Sequence, residues 1–101
     1  MAKTPEGKVK DAVKDILKKH GAYYTMPVAS GYGNVGVPDI LACYRGRFIA
    51  IECKAGRGKP TALQLSNLNS IALAGGVALI INETNLVALT DAITGINKEI
   101  G

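Results

Sequence analysis

The chain has 101 residues, 48% of them hydrophobic, and twelve basic against eight acidic residues give a net charge of +4. This length fits a single domain, residues 1–101, and the apolar content excludes a disordered chain. No apolar run reaches the roughly 18 residues of a membrane helix, and the N-terminus lacks the apolar centre of a signal peptide. We therefore expect a cytosolic protein, in the host cytosol if it is viral, with no membrane partner. Its basic excess favours a polyanion.

Cysteine and histidine are scarce in this sequence. Cys43, Cys53 and one histidine, without Cys-x-x-Cys spacing, argue against a zinc site. We expect both cysteines to be reduced, buried residues on opposite faces of a hairpin.

The first helix is predicted to begin after Thr4 as N-cap, with Pro5 and Glu6 in its first turn, and to end before Gly21. Glu6 lies three residues before Val9, on the apolar stripe. It either faces the sheet or complements the positive end of the helix. The apolar stripe consists of Val9, Ala12, Val13, Ile16 and Leu17. Most lysines of this helix lie on its other side, where they form a solvated face or contact phosphates. They are Lys8, Lys10, Lys14, Lys18 and Lys19.

Residues 22–26 are β-prone and predict the first strand, with Pro27 at its end or at a sheet edge. Residues 31–36 match G-x-G-x-x-G, the dinucleotide-binding pattern, but they lead into Val37-Pro38 and a strand instead of a helix. We therefore expect no nucleotide cofactor. Tyr32 in this segment could stack on a base or sugar of a nucleic acid, and an ordinary turn is the alternative.

The apolar segments Ile40–Tyr44 and 48–51 flank Arg45-Gly46 and predict a β-hairpin. Counting back from the turn pairs Tyr44 with Arg47, Cys43 with Phe48, Leu41 with Ala50 and Asp39 with Glu52. Directly opposed like charges lie about 5 Å apart and destabilise a sheet. A hard divalent cation such as Mg²⁺ resolves the repulsion, and Lys54 adds a positive charge on the same face. The alternative is an exposed ion pair between Glu52 and Lys54.

Residues 55–60 are flexible and basic, and Arg57 and Lys59 are predicted to contact phosphates, with a solvated connector as the alternative. Thr61 and Gln64 have the spacing of a capping box at the start of the next helix. The apolar face predicted for this helix consists of Leu65, Leu68, Ile71 and Ala72.

The continuously apolar segment Val77–Ile81 predicts a strand covered on both faces. We expect Glu83 to be solvated, and Thr84 or Asn85 to cap a last helix that weakens at Gly95 and frays from Lys98. The element order α-β-β-β-α-β-α predicts an α/β domain with a small mixed sheet and flanking helices.

The pattern Pro38-Asp39 followed by Glu52-Cys53-Lys54 resembles the PD-(D/E)XK nuclease superfamily. Residues 36–40, the later Gln64 and the small size resemble its virus-type replication-repair nuclease (VRR-NUC) branch. The resemblance covers roughly residues 6–81. It implies a restriction-endonuclease-like core and a DNA endonuclease that depends on Mg²⁺ or Mn²⁺.

The resemblance also implies roles for individual residues. It places Glu6 beside a metal held by Asp39 and Glu52, makes the backbone carbonyl of Cys53 a further metal ligand, and puts Gln64 near the reacting phosphate. For Gln64 the capping role alone is the alternative. Lys54 would orient or deprotonate the attacking water, or neutralise charge on the phosphate; the sequence leaves these roles open.

The small core leaves no further domain to read bases, so we expect recognition of backbone shape and charge, with branched or four-way DNA as substrate. By resemblance to phage and resolvase-like members we expect a homodimer. The alternative is a non-catalytic nucleic-acid-binding or assembly module with the same fold. A site-specific restriction enzyme is disfavoured by the size of the chain.

Overall fold

The secondary-structure elements follow one another in the predicted order. The computed structural model describes residues 3–28 and 36–101, so that Tyr32 and most of the G-x-G-x-x-G segment lie outside the described residues. The elements are α1 (Pro5–Lys19), β1 (Tyr23–Thr25), β2 (Ile40–Tyr44), β3 (Arg47–Cys53), α2 (Ala62–Leu73), β4 (Val77–Ile81) and α3 (Val87–Ile100).

The four strands form one mixed sheet in the order β1-β2-β3-β4. The strands β1, β2 and β3 pair antiparallel, whereas β4 runs parallel to β3. A parallel pair needs a crossover connection, which α2 supplies. Beyond the end of β3, the N–H of Lys54 donates to the carbonyl of Ile81 across 2.9 Å. The α/β architecture predicted from the sequence is confirmed.

The core lies between one face of the sheet and helices α1 and α3. Side chains alternate along a strand, so Ile49, Ile51 and Cys53 of β3 all point into this layer and are fully buried. Burying one such aliphatic side chain contributes about 1.5–3 kcal/mol. The helices and the other strands supply Val9, Val13, Leu17, Ile40, Ala42, Ile81, Leu89, Ile93 and Ile96.

The opposite face of the sheet is only partly covered, by α2, which packs on β4 and β3. Leu68 is the buried residue of α2, so the prediction of a buried apolar face on this helix was wrong for Leu65 and Ala72, which are exposed. Ile80 is also exposed, so the prediction that β4 is covered on both faces was wrong: α2 leaves part of its outer face uncovered. The exposed large apolar side chains of β1, β3, β4 and α2, which together we call the outer apolar surface, are Tyr23, Phe48, Leu63, Leu65, Leu73 and Ile80.

The cysteines lie on opposite faces of the hairpin, as predicted, and both are free. Cys53 is buried in the core, and this burial raises the pKa of its thiol to about 12. The prediction that Cys43 is buried was wrong. Cys43 stands between Tyr23 and Phe48 on the outer apolar surface, where α2 does not cover the sheet.

The ends of α1 and α2 follow the sequence signals, whereas α3 differs. Thr4 caps α1 by accepting the N–H of Gly7 at 3.0 Å. The predicted cap at Thr84 or Asn85 was wrong: the N-cap of α3 is Leu86, without a side-chain hydrogen bond. Asn85 instead accepts the N–H of Asn82 at 2.7 Å within the preceding turn.

The last helix also continues through Gly95 to Ile100 without the predicted fraying. Contacts with the hairpin explain its stability. The hydroxyl of Tyr44 donates to Oδ1 of Asn97 at 2.8 Å, and Arg47 pairs with Glu99. In the described part of the chain, no helix is long and apolar enough to cross a membrane.

Candidate active site

The hairpin register brings Asp39 opposite Glu52. The pairs Tyr44–Arg47, Cys43–Phe48 and Leu41–Ala50 are those predicted from the sequence. Arg45 and Gly46 have φ values of 50° and 83°, so both central residues are left-handed, as a two-residue type I′ turn requires. Two pairs beyond Leu41 and Ala50, the same register opposes Asp39 to Glu52.

Asp39 is fixed by the backbone of the neighbouring strand. Its Oδ2 accepts the N–H of Cys53 at 2.9 Å. The carboxylate therefore adds one hydrogen bond to the pairing of the two strands, just before β2 begins. Its second oxygen, Oδ1, is left for other partners.

Glu52 is the one buried charged residue of the described chain, with a relative exposure of 1%. Both of its carboxylate oxygens are buried, and no described group makes a hydrogen bond to them. The ammonium of Lys54 lies 3.2 Å from Oε2, which is an ion-pair distance without hydrogen-bond alignment. This burial excludes the alternative of an exposed surface ion pair.

The surroundings of Glu52 disfavour its negative charge. Desolvation, followed by the charge of Asp39, raises the pKa of Glu52, and the nearby Lys54 ammonium only partly opposes the rise. A buried acceptor without donors costs free energy. A cation bound at this site would therefore stabilise the charged form of Glu52.

Helix α1 brings two further charges to this site. Nζ of Lys10 lies 3.6 Å from Oε2 of Glu6 and 3.7 Å from Oδ1 of Asp39. The prediction that Lys10 belongs to the solvated lysine face was therefore wrong. Glu6 and Lys10 are spaced i, i+4 and share one helix face, so a Glu6 that faces the site brings Lys10 with it. That spacing was the sequence signal for Lys10.

The donor set fits a hard cation with few protein ligands. Within residues 3–28 and 36–101, no three His, Cys, Asp or Glu groups are close enough to form a metal cluster. Mg²⁺ needs only one or two carboxylates because it keeps several waters. The two oxygens of Glu52, which make no hydrogen bond to a described group, lie opposite Asp39 and meet that requirement. The protonated thiol of Cys53 points into the core and is not a candidate ligand.

Gln64 forms the predicted capping box at the start of α2. Its Oε1 accepts the N–H of Thr61 at 2.8 Å, and its own N–H donates to Oγ1 of Thr61 at 3.2 Å. The cap occupies the amide oxygen and makes no use of the amide NH₂ group.

The first turn of α2 also packs against the segment that leads to Asp39. Gly36, at a φ of +86°, approaches so closely that a Cβ there would lie 2.8 Å from the carbonyl carbon of Leu63 and 3.0 Å from the nitrogen of Gln64. The absence of a side chain at Gly36 therefore allows the N-terminus of α2 to pack against the segment that leads to Asp39.

Arg57 and Lys59 lie exposed in the loop that follows Lys54. The N–H of Gly56 donates to Oε1 of Glu83 at 2.7 Å, which ties this loop to the segment after β4. Glu83 is exposed to solvent, as expected, and it also accepts this hydrogen bond. Sequence reasoning missed its role because residues 27 positions apart carry no local signal.

Comparisons with known proteins agree with this geometry. A family model described as archaeal Holliday junction resolvase (hjc) matches residues 6–87. A solved structure titled "VRR_NUC domain" is similar, with 21% sequence identity and a TM-score of 0.73 over 88% of this chain and 97% of that chain. No curated protein matches the chain. The resemblance to the PD-(D/E)XK superfamily and to the VRR-NUC fold is confirmed.

Proposed function

The chain belongs to the archaeal Holliday junction resolvase (Hjc) family, and we propose that it hydrolyses phosphodiester bonds in branched DNA with Mg²⁺ or Mn²⁺ as cofactor. Membership in this family supports a nuclease that acts on DNA junctions. Metal dependence and the catalytic roles of individual residues are our proposal.

One observation carries the proposed metal site. Glu52 is fully buried, neither of its oxygens makes a hydrogen bond to a described group although Lys54 lies 3.2 Å from Oε2, and the register extended from β2 and β3 places another acid opposite it. This arrangement is unfavourable for stability, because one ammonium only partly offsets the cost of burying a carboxylate without hydrogen bonds beside a second acid. A bound divalent cation would offset the cost.

We assign the metal to Asp39 and Glu52, with Glu6 and the backbone carbonyl of Cys53 as further ligands. In an extended strand the N–H and C=O of one residue point to the same edge. The N–H of Cys53 points to Asp39, so its carbonyl faces the same side. Glu6 is linked to Asp39 through Lys10, and a bound water would extend its reach. When bound, the cation would polarise a phosphate oxygen and lower the pKa of a water molecule.

The residues around the acids would act on the substrate. Lys54 lies beside Glu52, where its ammonium would orient the attacking water or neutralise charge on the phosphate, or its neutral amine would deprotonate the water. The amide NH₂ of Gln64 would donate to a phosphate oxygen while its Oε1 keeps the helix cap. Arg57 and Lys59 would bind the DNA backbone, and Tyr32 would stack on a base or sugar.

We propose that the protein works as a homodimer. On the outer apolar surface, the side chains of Tyr23 and Leu73 are 76% and 81% exposed. A stable interface buries about 800 Å² of each partner. A two-fold dimer would bury such a surface and present two sites to the strands of a junction. Leu73→Glu should shift the protein to monomers in sedimentation, whereas Val87→Glu on α3, also exposed, should not. A monomeric wild type would contradict the dimer.

Cleavage of a DNA panel tests the proposed activity. Linear, flapped and four-way DNAs are incubated with Mg²⁺, Mn²⁺ or a chelator, with Glu52→Gln as the matched inactive control. We expect metal-dependent cleavage of branched DNA that the chelator and the substitution abolish. Binding without any cleavage in either metal would favour the alternative, a non-catalytic nucleic-acid-binding or assembly module. Cleavage confined to one sequence would favour a restriction enzyme.

A further inference from the structure

Lys10 occupies an unusual position between two acids from different elements. Its Nζ is 3.6 Å from Glu6 on its own helix and 3.7 Å from Asp39 on the sheet, and its side chain is 29% exposed. Both distances exceed the 2.7–3.2 Å of a good hydrogen bond. The ammonium is thus held by charge alone, more loosely than Lys54 at 3.2 Å from Glu52 or Lys14 at 3.2 Å from Asp11.

The oxygen that Lys10 faces is the one that a metal would need. Oδ2 of Asp39 is engaged by the N–H of Cys53, so Oδ1 is the oxygen left for a cation, and Lys10 lies next to it. We propose that Lys10 is an internal counter-ion that neutralises Glu6 and Asp39 in the metal-free protein and competes with the divalent cation for Asp39. The inference rests on the proposed metal site and adds to it a positioning residue that lowers metal affinity.

This role differs from that of a simple structural ion pair. A structural pair would stabilise the fold and leave metal affinity unchanged. A competing ammonium stabilises the metal-free protein at the expense of metal binding. Because partly exposed ion pairs contribute about 0.2–1 kcal/mol each, removal of the pair with Asp39 should tighten metal binding about 1.4- to fivefold.

The test measures Mn²⁺ affinity by electron paramagnetic resonance of the free ion, and thermal stability with and without Mn²⁺. Lys10→Met and Lys10→Gln should bind Mn²⁺ more tightly than wild type, melt lower without metal and gain more in Tm on its addition. Lys10→Arg should behave as wild type. Lys14→Met, one turn away on α1 and paired with Asp11, is the control for the general loss of positive charge.

The outcomes separate this inference from the proposed function. If wild type binds Mn²⁺ and cleaves DNA but the Lys10 variants bind Mn²⁺ equally or more weakly, the counter-ion role is wrong and the proposed function stands. An equal gain in Lys14→Met would also overturn it. If wild type does not bind Mn²⁺ but Lys10→Met does, the competition is supported and the metal-dependent activity is not. If neither binds, both proposals fail.

Discussion

The backbone N–H of Cys53 donates to Oδ2 of Asp39 across 2.9 Å, which ties an acid before β2 to the end of β3. This hydrogen bond fixes one acid of the site through the main chain. The other acid, Glu52, one residue earlier on β3, has no hydrogen-bond donor among the described groups. The two carboxylates therefore contribute to folding in opposite directions, and substitutions should separate them.

Glu52→Gln should stabilise the metal-free protein at neutral pH. The pKa of Glu52 is raised in the folded state, so its stability contribution is full below the ordinary carboxyl pKa and is lost as the pH rises through the folded-state value. Removing the charge should recover stability on the order of 1 kcal/mol, or about 4–8 °C in Tm. Urea denaturation with chelator at several pH values checks this. The advantage should vanish near pH 4, and a variant less stable than wild type at pH 7 would contradict it.

Asp39→Ala should destabilise the metal-free protein. The substitution leaves the N–H of Cys53 without its acceptor and Lys10 without one of its acids, at a cost of about 1–3 kcal/mol. Asp39→Asn retains an oxygen acceptor and should lose less. The same denaturation series measures both. An Asp39→Ala variant as stable as Glu52→Gln would mean that the hydrogen bond contributes nothing.

Lys54→Met should reduce the cleavage rate more than the metal affinity. Its ammonium lies beside Glu52 but supplies no metal ligand, so its removal acts mainly on water or phosphate. Single-turnover cleavage of a four-way junction, measured over a range of Mg²⁺ concentrations, separates rate from affinity. Lys98→Met, at the exposed end of α3, serves as the control. Unchanged cleavage by Lys54→Met would remove this residue from the mechanism.

Glu83 should affect DNA binding through the loop that it holds. Glu83→Ala removes the acceptor of the Gly56 N–H, whereas Glu83→Gln keeps an acceptor and removes only the charge. We expect Glu83→Gln to bind junction DNA at least as tightly as wild type, and Glu83→Ala about two- to fivefold more weakly than Glu83→Gln, because Arg57 and Lys59 lose their fixed position. Electrophoretic mobility shift in Ca²⁺ measures this difference. Equal affinity of the two variants would show that the loop needs no anchor.

The sequence predicted the local features of the site, because these follow from short-range rules. The Arg45-Gly46 turn and the period of two in the strands fix the register that opposes Asp39 to Glu52, and Thr61 with Gln64 fixes a helix cap. Long-range placement was harder. Glu83 meets Gly56 across 27 positions, which no periodicity encodes.

Burial was also misjudged where hydrophobicity was the only signal. An apolar face on a helix predicts that another element covers it, yet among the described residues Leu65 and Ala72 of the predicted face of α2 remain exposed. The proposed dimer would cover such a surface with a second copy of the chain. The hydrophobic pattern of one chain does not distinguish this cover from a core contact. The opposite error occurred at Lys10. Its charge predicted a solvated side chain, whereas the helix geometry places this side chain between two acids.

The most direct test of the central claim is Mn²⁺ binding by wild type and by Glu52→Gln, followed by electron paramagnetic resonance under identical conditions. If Asp39 and Glu52 share a divalent cation, wild type should bind Mn²⁺ and the folded Glu52→Gln variant should bind it at least about tenfold more weakly. Equal Mn²⁺ affinity in the two proteins would show that Glu52 does not bind the cation and would contradict the proposed shared metal site.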